Sequence, residues 1–265
     1  MSTVGTRALG WMAGVMLALV AVLGLVVTPP DVVQRDAVRL LYIHVPTAWL
    51  AMYLSFGVTT VASALYLWKR TRRPFWDTLA GASAEIGLVF IGLTLVTGSI
   101  WGRTTWGVWW TWDARLTSTA VLFVTYLGYL AVRRIPGDPL VRSRRAAIVA
   151  LAAFLNVPLV HQSVEWWRTL HQPASILDQR RLGDPQIQGS MLATLLLAVL
   201  AFTLLYGWLL VHRFRLASTE EQVESAQLDE ALAERRAEAN AADAGPGAGD
   251  LGASQLDAPV GERSS

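Results

Sequence analysis

The sequence predicts an all-α integral membrane protein with six transmembrane helices, short loops and a polar C-terminal tail. Only 16% of its 265 residues are charged and 53% are apolar, whereas soluble domains carry about 25% charged residues. Six apolar stretches each approach the roughly 20 residues that a helix needs to cross a bilayer. Charge is also uneven, because residues 1–215 hold 19 Lys and Arg against 9 Asp and Glu, and residues 216–265 hold 3 against 11.

The six predicted spans are residues 8–27, 46–68, 78–100, 114–132, 146–167 and 189–211. No small-residue cleavage site precedes Thr28, so we expect the first span to be retained and not removed as a signal peptide. Pro46 favours the first turn of a helix, which predicts that His44 lies at the N-terminal edge of the second span. Pro158 is expected to kink or loosen the fifth span.

Basic residues predict the orientation of these spans. Twelve Lys and Arg precede the first span or follow the second, fourth and sixth, whereas the other three loops hold seven. Basic residues favour the cytoplasmic side of a membrane. We therefore expect an inner-membrane protein of a bacterium with both termini in the cytoplasm. The loops at 28–45, 101–113 and 168–188 then face the periplasm.

The composition divides the chain into a membrane domain at residues 1–215 and an acidic cytoplasmic tail at residues 216–265. Residues 218–239 are rich in Glu, Ala, Arg, Gln and Leu and are compatible with a polar helix. From Asn240 onward Gly, Ala, Pro and Asp dominate, which predicts disorder. The sequence has no Cys, so disulfides, thiolate metal sites and Fe–S clusters are excluded. It also has no glycine-rich phosphate loop.

Tryptophan is concentrated in the loop between the third and fourth spans. Five Trp lie within twelve positions of that loop, namely Trp101, Trp106, Trp109, Trp110 and Trp112. One interpretation is an aromatic belt at the membrane interface. The other is a wide indole surface for a flat apolar ligand. If residues 106–113 were helical, Trp106, Trp109 and Trp110 would share one face of that helix.

Three of the four His also fall near the predicted periplasmic surface. His44 precedes the second span, and His161 and His171 lie near the end of the fifth. His161 and His171 are ten positions apart, about 280° around a helix, so one straight helix cannot direct both to one ligand. Haem fits two imidazoles on different loops, since its iron takes axial His from opposite faces. Its propionates require donors such as Arg103, Arg115 or Arg168.

The tryptophan-rich loop resembles a known signature. The segment Trp106-Gly-Val-Trp109-Trp110-Thr-Trp112-Asp113-Ala-Arg115-Leu-Thr-Ser118 is similar to the WWD motif of the haem-handling proteins of cytochrome c maturation. Its Asp-Ala-Arg-Leu-Thr-Ser ending resembles the haem exporter protein C (CcmC) branch. Three further segments agree with this family: Tyr42-Ile-His44-Val-Pro46, Thr97-Gly-Ser-Ile-Trp101-Gly and Ser163-Val-Glu165-Trp166-Trp167-Arg-Thr-Leu-His171-Gln172. The resemblance covers about residues 35–210.

This resemblance implies a haem-handling membrane protein that is not itself an enzyme. It carries haem b as cargo and delivers it to the periplasmic haem chaperone CcmE, which bonds the haem covalently. The implied further partners are the ATP-binding cassette subunits CcmA and CcmB and the small subunit CcmD. His44 and His171 match the proposed axial ligands of the haem iron. The other expected haem-binding residues are Trp101, Trp106, Trp109, Trp110, Trp112, Asp113, Arg115, Glu165, Trp166 and Trp167.

Two other classes of protein remain as alternatives. A haem lyase of the sister WWD branches would be longer, with more spans and additional His. A proton-coupled transporter would use an acid inside the membrane, and Glu85 lies within the predicted third span. A lone Glu without a partner in another span would make a poor proton relay.

Overall fold

The computed structural model describes residues 3–171, residue 187 and residues 189–243, and these residues form helices without a named strand. The α-helices are α1 (Val4–Val22), α2 (Leu41–Trp49), α3 (Phe56–Leu67), α4 (Pro74–Trp106), α5 (Ala114–Arg133), α6 (Pro139–Phe154), α7 (Asn156–Trp166) and α8 (Gly189–Asp243). A π-helical turn at Leu23–Val27 extends α1, and another at Leu50–Ser55 joins α2 to α3. A 3-10 turn at Asp36–Leu40 leads into α2.

Six helical stretches of the described chain are long and apolar enough to cross a membrane, which confirms the predicted fold class. The second stretch begins at Asp36, so the prediction that it starts at Pro46 is wrong. His44 lies within α2 and not at its edge, because the 3-10 turn already supplies the first turns before Pro46. Pro46 lies inside the helix and removes only one backbone hydrogen-bond donor from it.

Helix ends are set by residues with specific capping roles. Asp113 caps α5 by accepting the backbone N–H of Leu116 at 2.8 Å, and Asp138 caps α6 through Leu140 at 2.7 Å. Gly107 ends α4 with a φ of 79°, a left-handed conformation that glycine adopts without strain. The fifth span is divided into α6 and α7. Pro158 has no backbone N–H to donate to the Phe154 carbonyl. The helix α6 ends at Phe154, which agrees with the break predicted from Pro158.

The core lies where α3, α4, α5 and α6 meet. Phe56 and Tyr126 stack with their ring centroids 3.4 Å apart, and both are fully buried. Small residues such as Ala84, Ala146 and Ala150 are also fully buried. Small side chains let helix backbones approach closely inside a membrane, where packing rather than the hydrophobic effect holds helices together.

Ion pairs join helices that are distant in sequence. Arg133 donates to the two carboxylate oxygens of Asp77 at 2.6 and 3.2 Å, and Ser143 donates to the same carboxylate at 2.8 Å. Glu85 accepts two hydrogen bonds from Arg213 of α8, one of them at 3.0 Å. The prediction that Glu85 has no partner in another span is therefore wrong.

Contacts within the chain divide it into two units, Met1–Ala217 and Ser218–Ser265. In the second unit, residues 218–243 are helical and the side chains of residues 219–241 are exposed. The predicted polar helix at 218–239 falls within this segment. Most of the stretch predicted to be disordered, from Asn240 onward, lies outside the described residues. The division of the protein into domains at residue 215 stays a prediction.

Candidate functional site

A cavity of about 450 Å³ lies beside the tryptophan-rich segment. Its volume falls within the range of roughly 300–1,000 Å³ that is usual for ligand pockets. Side chains from α2, the following π-helical turn, α4, α5, α7 and α8 line it. The predicted site residues on its wall are His44, Trp101, Trp106, Trp110, Arg115 and His171.

His44 is fixed by two residues of α4. Its Nδ1 lies 3.1 Å from the hydroxyl of Thr97, and that hydroxyl donates its own proton to the Leu93 carbonyl at 2.8 Å. The Thr97 oxygen therefore accepts the Nδ1–H of His44, which leaves Nε2 unprotonated and able to bind a metal. Gly98 makes room for the ring, because a Cβ there would lie 2.8 Å from the His44 Cε1 atom.

His171 reaches the same cavity from the segment that follows α7. Its ring centroid lies 6.5 Å from that of His44, and the two ring planes are inclined by 34°. Trp106 packs edge-on against it with a centroid distance of 6.2 Å. His44 and His171 thus reach one cavity from two segments that are distant in sequence. Their role as the two axial ligands of one iron stays a prediction.

Asp113 connects the His171 segment to α5. Its Oδ1 caps α5, and its Oδ2 accepts the backbone N–H of Leu170 at 3.1 Å. Leu170 immediately precedes His171. Asp113 does not line the cavity, and its contact with the site is through the backbone of the segment that carries His171.

The five Trp of the signature divide into two groups. Trp101, Trp106 and Trp110 line the cavity, and Trp101 also donates to Gln34 at 2.8 Å and packs edge-on against His44 at 5.7 Å. Trp109 and Trp112 do not line it and are 59% and 81% exposed. Residues 106–113 do not form the helix considered for them above, because α4 ends at Trp106 and residues 107–113 are non-helical. Trp109 therefore does not share a helix face with Trp106 and Trp110.

The cluster at the end of α7 lies away from the cavity wall. Glu165, Trp166 and Trp167 are exposed, with Trp166 at 61% and Trp167 at 51%. The rings of Trp166 and Trp167 pack edge-on with a centroid distance of 5.7 Å. These three residues do not form part of the wall beside His171, and the two Trp are exposed to a lipid or protein surface.

Of the three Arg expected near carboxylates of a ligand, only Arg115 lines the cavity. Among the residues that the structure describes, its guanidinium makes no hydrogen bond or ion pair. No hydrogen bond or ion pair joins Arg115 to Asp113, and the two Asp113 oxygens accept backbone N–H groups. Arg103 instead donates to the Gly107 carbonyl at the end of α4. Arg168 is exposed and off the cavity wall.

Residues that were not predicted to bind haem complete the wall. Tyr53 of the π-helical turn lies 2.6 Å, oxygen to Nδ1, from His161 of α7, and both face the cavity. Thr97 bonds to His44 from 53 positions away, and no local sequence pattern predicts that bond. The available signals were polar side chains inside apolar spans. Polar residues within membrane spans are candidates for functional sites.

A second hollow of about 490 Å³ lies between α1 and α8. It contains His212, whose ring packs edge-on against Trp208 at a centroid distance of 4.9 Å, together with Arg7 and Trp11. Only one His lines it, so it does not offer two imidazoles to one metal.

Comparison with known proteins finds a family model and relatives that share one description. A family model described as Heme exporter protein C (CcmC) matches residues 1–229. The Heme exporter protein C of Bradyrhizobium diazoefficiens is 42% identical over 229 residues, which are 85% of this chain and 84% of that protein. That of Haemophilus influenzae is 39% identical over 209 residues, covering 78% and 82%. That of Escherichia coli K12 is 37% identical over 189 residues, covering 71% and 73%.

Proposed function

The chain belongs to the haem exporter protein C (CcmC) family of cytochrome c maturation, and from that premise we propose that it binds haem b at the periplasmic face of the inner membrane. It then delivers this haem to the periplasmic chaperone CcmE. Haem is cargo here, and the covalent bond to it forms on the chaperone. The protein is thus a transport and assembly component and not an enzyme.

The observation that carries this proposal is the arrangement of two imidazoles across one tryptophan-walled cavity. Metal–imidazole bonds are about 2 Å long and a ring centre lies about 1 Å behind its nitrogen, so an iron between two His separates the centroids by about 6 Å. The distance between His44 and His171 is 6.5 Å. The described residues contain no group of three metal-ligating side chains. Two His alone suit a metal whose remaining ligands come from a macrocycle.

The other walls suit the rest of the haem molecule. Trp101, Trp106 and Trp110 provide flat apolar surface for the porphyrin ring. Arg115 provides a cation that makes no hydrogen bond or ion pair among the described residues and can meet a propionate. The cavity thereby combines an apolar body with a few polar groups, which is the usual composition of a small-molecule site.

The exposed aromatic residues support a separate role in chaperone contact. Trp109, Trp112, Trp166 and Trp167 lie outside the cavity wall and are each more than half exposed. Aromatic residues are enriched at protein interfaces and at membrane interfaces. We assign these four Trp to the surface that meets CcmE, with an interfacial belt as the alternative.

The position of the cavity supports the proposed orientation. Its residues come from the starts of the second and fourth spans and the ends of the third and fifth, as with His44, Arg115, Thr105 and His161. In a chain that crosses a membrane repeatedly, these ends lie on one side. The loops on the other side hold most of the basic residues, which favours the cytoplasm. CcmA, CcmB and CcmD are the proposed partners in the exporter complex.

Absorbance spectroscopy of the purified full-length protein tests this function. The wild type is expected to show a Soret band and the magnetic signature of two-His ligation. His44→Ala and His171→Ala should each abolish that signature, because each removes one axial ligand. His212→Ala is the control, since His212 lies in the other hollow. A two-His signature that survives His171→Ala but disappears in His161→Ala would contradict the ligand assignment.

A further inference from the structure

A second polar cluster faces the cavity that holds His44 and His171. It consists of Tyr53 on the π-helical turn, Arg115 in the first turn of α5 and His161 on α7. The Tyr53 hydroxyl and His161 Nδ1 are 2.6 Å apart, and their rings meet edge-on with centroids 6.1 Å apart. Trp49 supports Tyr53 from behind, with a centroid distance of 5.3 Å. Three segments distant in sequence thus bring polar groups to one wall.

The hydrogen bond between Tyr53 and His161 determines which nitrogen of His161 carries the proton. A phenol is the stronger donor and an imidazole nitrogen the stronger acceptor, so Tyr53 donates to Nδ1 of His161. A neutral imidazole that accepts at Nδ1 carries its proton on Nε2. His161 is therefore held as a hydrogen-bond donor at Nε2, in contrast to His44, whose Nε2 is left as an acceptor.

This wall has donors in excess of acceptors. The Arg115 guanidinium carries five N–H groups and makes no hydrogen bond or ion pair with any residue in the described part of the chain. The Nε2–H of His161 adds a further donor, and the Tyr53 proton is used within the pair. A carboxylate supplies acceptor sites only, so it complements a wall whose unused groups are donors.

We propose that Arg115 and His161 form a carboxylate-binding subsite of the cavity, with Tyr53 as the residue that positions His161. The proposal deepens the proposed function, because the carboxylate is a propionate of the bound haem. His161 is therefore a specificity residue and not an iron ligand. Tyr53 acts through His161 and does not need to touch the haem.

The test compares haem with its dimethyl ester, in which both carboxylates are blocked. Binding of each to the purified full-length protein is titrated by absorbance. The wild type should bind haem more tightly than the ester. Tyr53→Phe and His161→Leu should weaken haem binding about tenfold, as expected for one hydrogen bond to a charged group, while ester binding stays unchanged. His161→Gln, which restores an N–H donor, should recover part of the preference.

One control variant separates this role from a general effect on folding. Tyr42→Phe removes a buried hydroxyl that has no hydrogen-bond partner in the described structure and is not on the cavity wall, so it should leave both affinities unchanged. Equal losses for haem and ester in Tyr53→Phe and His161→Leu would overturn the subsite. A wild type without preference for haem over its ester would also overturn it. A wild type with no two-His signature would instead overturn the proposed function on which the subsite depends.

Discussion

Asp113 uses one carboxylate to hold two segments that meet beside the cavity. One oxygen caps α5, and the other binds the backbone N–H of Leu170, next to His171. The cap alone would be a common structural device. The second bond is different, because it fixes the backbone of a segment whose side chain is a proposed iron ligand. We therefore propose that Asp113 positions His171.

We expect Asp113→Asn to weaken haem binding and transfer to CcmE while protein abundance in the membrane stays near normal. Asn retains one oxygen that can cap α5, but its amide nitrogen cannot accept the Leu170 N–H. Loss of a cap costs about 1 kcal/mol, which is too little to unfold a bundle of this size. Haem absorbance, chaperone loading and abundance are measured on the same membranes. Residues that orient a metal ligand typically change affinity by about 10–100-fold.

Asp138→Asn is the matched control for this variant. Asp138 also caps a helix through a backbone N–H, that of Leu140 at 2.7 Å, and it does not line the cavity. It should change neither haem binding nor transfer. If Asp113→Asn lowers abundance as much as it lowers haem binding, the residue is structural and its positioning role is wrong.

At the scale of elements, α2 and α4 form the wall that carries His44. The His44 ring lies against the backbone of α4 at Gly98 and bonds to Thr97 one residue earlier. The absence of a side chain at Gly98 is what permits this contact. The helix pair thus sets both the position of the imidazole and the nitrogen that it presents to the cavity.

Gly98→Ala should therefore disturb the two-His signature without unfolding the protein. The new Cβ would lie 2.8 Å from the His44 Cε1 atom, so the ring must move and strain its bond to Thr97. Electron paramagnetic resonance of the haem-loaded protein reports the change in axial ligation. Gly92→Ala on the same helix is the control, since its nearest neighbour is the Phe123 ring at 3.5 Å, an ordinary contact. An unchanged signature in Gly98→Ala would show that the ring position does not depend on this packing.

The elements also show what a sequence can and cannot predict. Apolar length identified all six spans, because the bilayer imposes it on each helix separately. The prediction from Pro46 put the start of the second span too late in the chain. The helix begins before Pro46, where Leu41 and Tyr42 are buried against other helices. Tyr53 and His161 are 108 positions apart and Glu85 and Arg213 are 128 apart. Such pairs depend on packing, and no local pattern predicts them.

At the scale of the whole molecule, the chain combines a membrane unit with a tail of different composition. The contact-defined unit Met1–Ala217 contains every residue of the cavity wall. The tail from residue 216 onward holds 11 acids and three Arg but no Trp and no His. The match to the family model ends at residue 229, inside the tail. Only the first part of the tail is therefore shared with the family.

We expect the tail to be dispensable for haem binding. A chain truncated after Leu216 retains the whole cavity wall, so its haem spectrum and two-His signature should equal those of the full-length protein. A chain truncated after Asp229, where the family match ends, serves as the paired variant. If the shared part of the tail contacts the ATP-binding subunit CcmA, the shorter chain should co-purify less CcmA than the longer one. A chain truncated after Leu216 that inserts normally but binds no haem would show that the assigned site is wrong.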